Sequence, residues 1–223
     1  MHPMDPNAPR RRGSGGMTTL FAQLFGVLSL ILLLIWLLHF RGSIEYDSPN
    51  PARVFNVHPL LMFGFIFLSG QAMMAFKSVP AQKPVKKFIH MLFHIIAIVM
   101  GIVGLCAVFR YHNMINVGDM YSLHSWIGLT TFCVYCLQWL VGFFVFMVGR
   151  STATKDRMIG WHVIVGRSLL FMSICTALTG LMEKAQFLGL KYQHESRLVN
   201  FLGLTILLFG VFVDLSVVYG RYV

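Results

Sequence analysis

"SLHSWIGLTTFCVYCLQWLVGFFVFMV", residues Ser122 to Val148, carries no Asp, Glu, Lys or Arg, and has one imidazole, His124, at its mouth. At ~1.5 Å per residue a helix of this length crosses the ~30 Å of bilayer hydrocarbon. Five further runs are as long and mostly apolar: roughly Thr18 to Phe40, Val54 to Phe76, Phe88 to Phe109, Trp161 to Met182, which holds Arg167, and Leu198 to Tyr219, which holds Asp214. The chain has 223 residues, 57% hydrophobic and 12% charged, with a mean hydropathy of +0.70. So little polar surface cannot cover a water-soluble domain of this size.

The sequence therefore predicts an all-α integral membrane protein of six transmembrane helices joined by short loops, in which each backbone amide is satisfied within its own helix. Residues 17–223 form one domain. Residues 1–16, "MHPMDPNAPRRRGSGG", read as a disordered basic tail. The first run is too long for a signal-peptide core and lacks a small-residue cleavage site, so it is expected to be retained. No span is expected to be broken by an interior proline.

Basic residues sort by side. Arg10, Arg11, Arg12, Lys77, Lys83, Lys86, Lys87, Arg150, Lys155, Arg157 and Arg221 fall on one side; Arg41, Arg53, Arg110, Lys184, Lys191 and Arg197 fall on the other, among Glu45, Asp47, Asp119, Glu183 and Glu195. The positive-inside rule then places both termini in the cytosol. The net charge of +10 reads as topology and attraction to membrane lipid, with no role in nucleic acid binding. Cys106, Cys133, Cys136 and Cys175 lie within the runs, and the spacing of "CVYC" lacks a second pair for zinc, so all four read as small buried thiols.

His58, His90, His124 and His162 stand near the starts of the second, third, fourth and fifth runs. Successive helices alternate in direction, so His58 and His124 share one leaflet while His90 and His162 share the other. Polar side chains inside a membrane are costly and take partners. Such histidines can bond carbonyls of neighbouring helices; two facing imidazoles can also fill both axial positions of a haem iron. His2 and His194 read as loop residues and His39 as interfacial.

The segments "HPLLMFGFIFLSGQAMMAFKSV", "KKFIHMLFH", "FRYHNMINVGDMYSLHSWIGL", "QWLVGFFVF", "WHVIVG" and "TALTGLMEK" together resemble the cytochrome b561 family of transmembrane ascorbate-dependent oxidoreductases, from about Leu30 to Val218. The resemblance implies a central four-helix bundle holding two haem b groups per chain, in a homodimer. His58 and His124 would ligate the iron of the non-cytosolic haem; His90 and His162 would ligate that of the cytosolic haem. His94, one turn beyond His90, is the competing position, and the family pattern favours His90. There is no catalytic side chain beyond the haems.

The resemblance also implies an electron path from cytosolic ascorbate to a non-cytosolic acceptor, either monodehydroascorbate or a ferric chelate. Lys77, Lys83, Lys87 and Lys155 match basic positions around the cytosolic ascorbate site, where fixed positive charge would concentrate a monoanion. Lys77 stands where many animal relatives have arginine, replacing a planar fork by a point charge. His112, with Arg110, Asn116 and Tyr121, would meet the outer acceptor. Arg167 has two candidate partners, a haem propionate and Asp214. The rival reading is a transporter using histidines for protons or metal ions, which favours helices broken near the midplane. The address is a vacuolar, endosomal or plasma membrane.

Overall fold

A computed structural model describes residues 13–191 and 193–219. Most of the tail, with His2, Arg10, Arg11, Arg12 and Arg221, lies outside the described residues. Six long helices follow in order: α1 (Gly13–Ile35), α2 (Pro51–Ser78), α3 (Lys83–Ile115), α4 (Leu123–Gly142), α5 (Thr152–Phe187) and α6 (His194–Tyr219). A wider π-helical turn extends α1 over Trp36–Phe40, and another extends α4 over Phe143–Val148. All six are long and apolar enough to cross a membrane, so the chain is a multi-pass integral membrane protein.

The helices outrun the apolar segments that announced them. α3 continues past Phe109 to Ile115 and closes on Asn116 in the left-handed region (φ 55°). His112 thus sits on the last turn of a helix. His194 likewise opens α6, where a loop was expected. The ends are set by local chemistry: Asn50 caps α2 by accepting from the Ala52 amide, and Ser122 and Ser125 form a reciprocal capping box on α4. Pro59 lies inside α2, against the expectation of spans free of interior proline. It follows His58 directly, and the helix runs on unbroken; a proline of this kind is tolerated where neighbouring helices re-satisfy the backbone.

Packing is uneven in a way that makes room for the site. α2 lies along α3, α1 along α6 and α4 along α5, while α3 and α4 touch sparsely. The buried core sits where α1 and α6 press on α2, through Leu33, Trp36, Phe209 and Val213. Cys106, Cys133 and Cys175 are exposed on the outside of the helices. This corrects the expectation of buried thiols: in a membrane an apolar thiol is accommodated on the lipid side as readily as in the core.

Polar ties join the peripheral helices α1 and α6 to each other and α1 to α2. Gln23 and Gln71 exchange amide hydrogen bonds of 2.7 and 3.0 Å between α1 and α2. Ser29 donates to Thr205 at 2.9 Å. Buried Glu195 on α6 accepts from the Trp36 indole at 2.8 Å and from Arg41 at 2.7 Å. Glu195→Ala leaves an indole and a guanidinium without their shared acceptor; a loss of about 3 kcal/mol is expected. Thermal unfolding in detergent checks this, with Glu195→Gln, which keeps an acceptor for Trp36, losing about half as much.

Candidate functional site

The antiparallel pairs hold each other's histidines. His58 on α2 puts Nδ1 3.0 Å from the Gly104 carbonyl of α3, and His90 on α3 puts Nδ1 2.8 Å from the Ala72 carbonyl of α2. In the second pair, His124 on α4 puts Nδ1 2.8 Å from the Thr176 carbonyl of α5. A carbonyl only accepts, so Nδ1 carries the proton in all three and Nε2 presents a bare lone pair. His162 on α5 completes the pattern with a side chain: its Nδ1 lies 3.1 Å from Gln138 Nε2.

Across the gap between the two helix pairs the rings meet as the sequence anticipated. The centroids of His58 and His124 are 6.2 Å apart, and those of His90 and His162 are 6.1 Å apart. Two imidazoles bound through nitrogen to one metal, at about 2 Å each, would have centroids roughly 6 Å apart. Among the described residues no three His, Cys, Asp or Glu side chains gather to hold a metal ion. Each pair thus offers two axial donors, the set that suits an iron whose equatorial ligands come with a macrocycle.

The walls fit such a group. A cavity of about 440 Å³, lined among others by His58, His124, Met62, Leu105 and Phe132, opens beside the outer pair. Gly180 makes the approach of His124 possible: a Cβ there would lie 2.6 Å from the ring's Cε1. At the other end, a Cβ on Gly142 would come within 3.0 Å of His162 Cε1.

His94 is tied into a different network. Its ring lies edge-on, 4.5 Å from that of His90, and its Nδ1 is 2.5 Å from the Tyr135 hydroxyl. Tyr135 in turn is 2.6 Å from Ser69, whose hydroxyl donates to the Phe65 carbonyl. Proton counting gives this chain a direction. With the Ser69 hydrogen spent on Phe65, Tyr135 donates to Ser69, and His94 Nδ1–H donates to Tyr135.

The basic residues at the end of the bundle near His90 and His162 divide. Lys83 and Lys87 stand on one face of α3, in line with His90, and Lys155 lies in the first turn of α5. Lys77 points elsewhere, donating to the Ser216 carbonyl at 3.3 Å and to the Thr18 hydroxyl at 3.5 Å. Arg167 takes Asp214 through two hydrogen bonds of 2.5 and 2.9 Å.

At the opposite end His112 and Tyr121 line the cavity mouth, their rings 6.5 Å apart. Burial and then the neighbouring Glu183 carboxylate push the Tyr121 phenol above its ordinary pKa, so it remains a proton donor. His112 Nδ1 bonds Asp119 at 2.7 Å. Arg110 and Asn116 do not line the cavity, and Arg110 pairs with Asp47 at 2.7 Å. Sequence reasoning missed two residues here. Lys184 lines the mouth with its ammonium 3.6 Å from the Phe55 ring centroid and 5.1 Å from that of Tyr111. Glu183 accepts from Ser122 at 3.1 Å and anchors the turn before α4.

A membrane bundle that presents two facing pairs of imidazoles in separate layers defines the class of transmembrane cytochromes. The sequence model described as Eukaryotic cytochrome b561 matches residues 57–188, a stretch containing all four histidines. The chain is 41% identical over 204 residues to Transmembrane ascorbate ferrireductase 1 of Arabidopsis thaliana, covering 89% of this chain and 85% of that protein. It is 39% identical over 207 residues to Probable ascorbate-specific transmembrane electron transporter 1 of Oryza sativa subsp. japonica, covering 90% and 88%. It is 40% identical over 200 residues to the Transmembrane ascorbate-dependent reductase CYB561 of Mus musculus, covering 86% and 79%. The chain belongs to the eukaryotic cytochrome b561 family, and that membership implies haem b as its cofactor.

The glycine contacts give a test of the fit. Gly180→Ala is expected to displace the His124 ring and lower the haem bound per chain. Gly160→Ala, where an added Cβ meets nothing within 4 Å, should leave it unchanged. Haem extraction against protein mass decides between them.

Proposed function

We propose that this protein is an ascorbate-dependent oxidoreductase that passes electrons across a membrane, with one haem b held by His58 and His124 and a second held by His90 and His162. The observation that carries this reading is the repeated geometry of facing rings about 6 Å apart, with Nδ1 anchored by a neighbouring helix in three of the four. Haem, when bound, would supply one-electron chemistry, with these four imidazoles holding it.

The residues of the chain bring the donor to one end and the acceptor to the other. Ascorbate monoanion gives up one electron and one proton, becoming monodehydroascorbate; the proton is released to the donor's side. Lys83, Lys87 and Lys155 attract the anion to the end that carries His90 and His162, and Lys77 adds charge behind them. The cytosol is the side that fits this end. Outside it, Arg41, Arg53 and Arg110 are matched by Glu195, Glu45 and Asp47, which leaves the excess of positive charge on the donor side.

At the far end His112 and Tyr121, with Lys184 above two rings, form the mouth that meets monodehydroascorbate or a ferric chelate. Residues 17–223 act as one six-helix domain, working as a homodimer in a vacuolar, endosomal or plasma membrane, with both termini cytosolic. A transporter built on the same histidines fits less well. The histidines lie in two layers, and α2 to α5 run without a midplane break.

The test is electron transfer in vesicles loaded with ascorbate, followed through the reduced-minus-oxidised spectrum. The wild-type chain should be reduced by ascorbate and pass electrons to external ferric citrate. His124→Ala and His162→Ala should each lose one haem and at least 90% of the transfer rate. Folded wild-type protein that is colourless despite ample haem would overturn the proposal.

A further inference from the structure

We propose that Gln138 is a positioning residue that weakens His162 as an axial donor and thereby raises the reduction potential of the His90/His162 centre. The inference rests on the ligation proposed above. Its basis is the one break in an otherwise regular pattern. His58, His90 and His124 each turn Nδ1 to a backbone carbonyl of the adjacent helix. At the position where α4 would return the favour to α5, it offers the side-chain amide of Gln138.

The orientation of that amide is settled by a second contact. Gln138 Nε2 also donates to the backbone carbonyl of His162, at 2.7 Å. Turning the amide over would set two acceptor oxygens against each other at that distance. The atom facing Nδ1, at 3.1 Å, is therefore a donor. A ring that binds iron through Nε2 carries its proton on Nδ1, so His162 would meet N–H with N–H. The alternative is for the amide to turn and give up its bond to the His162 carbonyl. The turned amide would set its own oxygen against that carbonyl at 2.7 Å, so the first arrangement holds and His162 lacks the firm acceptor that makes the other three imidazoles more basic.

The ring is also held in place against seeking a better partner. Gln138, Gly142 and Phe146 follow at intervals of one turn on α4 and its extension, and together they form a slot. A Cβ on Gly142 would stand 3.0 Å from His162 Cε1, and the Phe146 ring lies edge-on at 5.1 Å. Weaker donation from the imidazole destabilises ferric iron more than ferrous iron. The one-electron equilibrium, ferric plus an electron giving ferrous, then shifts toward reduction at the centre beside the donor lysines. That centre becomes a readier oxidant of ascorbate.

Redox titration of the purified holoprotein tests this with two variants. Gln138→Glu supplies a carboxylate acceptor for Nδ1–H; the midpoint belonging to the His90/His162 centre should fall by about 59 mV, a tenfold shift for one electron. The other midpoint should stay put, and the haem content should equal that of the wild type. Gln138→Leu removes the opposing donor without supplying an acceptor, and should move the same midpoint in the same direction by a smaller amount. It carries the test alone if the glutamate variant fails to retain haem. His162→Ala identifies which midpoint belongs to the centre. Midpoints that do not move, that move together or that rise would overturn the inference. Full haem retention in His162→Ala would instead overturn the ligation on which it rests.

Discussion

The hydrogen bond from a histidine Nδ1 to a carbonyl of the next helix is the contact on which the site depends. A helical carbonyl already serves its own ladder but keeps a second lone pair, and the imidazole takes it. One bond thus fixes the ring's tautomer, points Nε2 into the gap and ties two helices together at the depth of the site. α2 and α3 do this for each other through His58 with Gly104 and His90 with Ala72. Each must remain in register for the other's histidine to stay aimed. Family membership supplies the haem that such rings can hold; the interlock explains why the rings are ready for it.

The second constraint is the distribution of charge. Within the membrane, Arg167 is answered by Asp214. At the end near His58 and His124, Arg41, Arg53 and Arg110 sit in ion pairs, two of them with exposed partners whose individual contribution to stability is small. Their larger effect is to leave little net charge there. The lysines near His90 and His162 add up to a field of one sign, and such a field would draw in an anionic reductant.

Much of this was legible in the chain itself. Six uninterrupted apolar runs have few structural solutions, and alternation of direction was enough to sort four histidines into two layers. Other features were hidden for physical reasons. A run apolar on every side does not declare which face meets lipid, so Cys106, Cys133 and Cys175 were misplaced in the interior. The polar turns carrying Arg110 to Ile115 read as loop because they leave the hydrocarbon, although the helix continues through them. Lys184 finds its place through Phe55 and Tyr111, which come from two other helices, and Lys77 turns to α1 and α6. Gln138 lies a full span away in sequence from the ring it faces. Such contacts belong to tertiary structure, and no local pattern signals them.

Low-temperature electron paramagnetic resonance of the oxidised, purified protein, integrated against haem per chain, tests the central claim most directly. Two six-coordinate, bis-imidazole irons predict two low-spin ferric signals in equal amount and two haems per chain. A single low-spin species with one haem per chain, or a dominant high-spin signal from an iron with an open axial position, would contradict the paired arrangement.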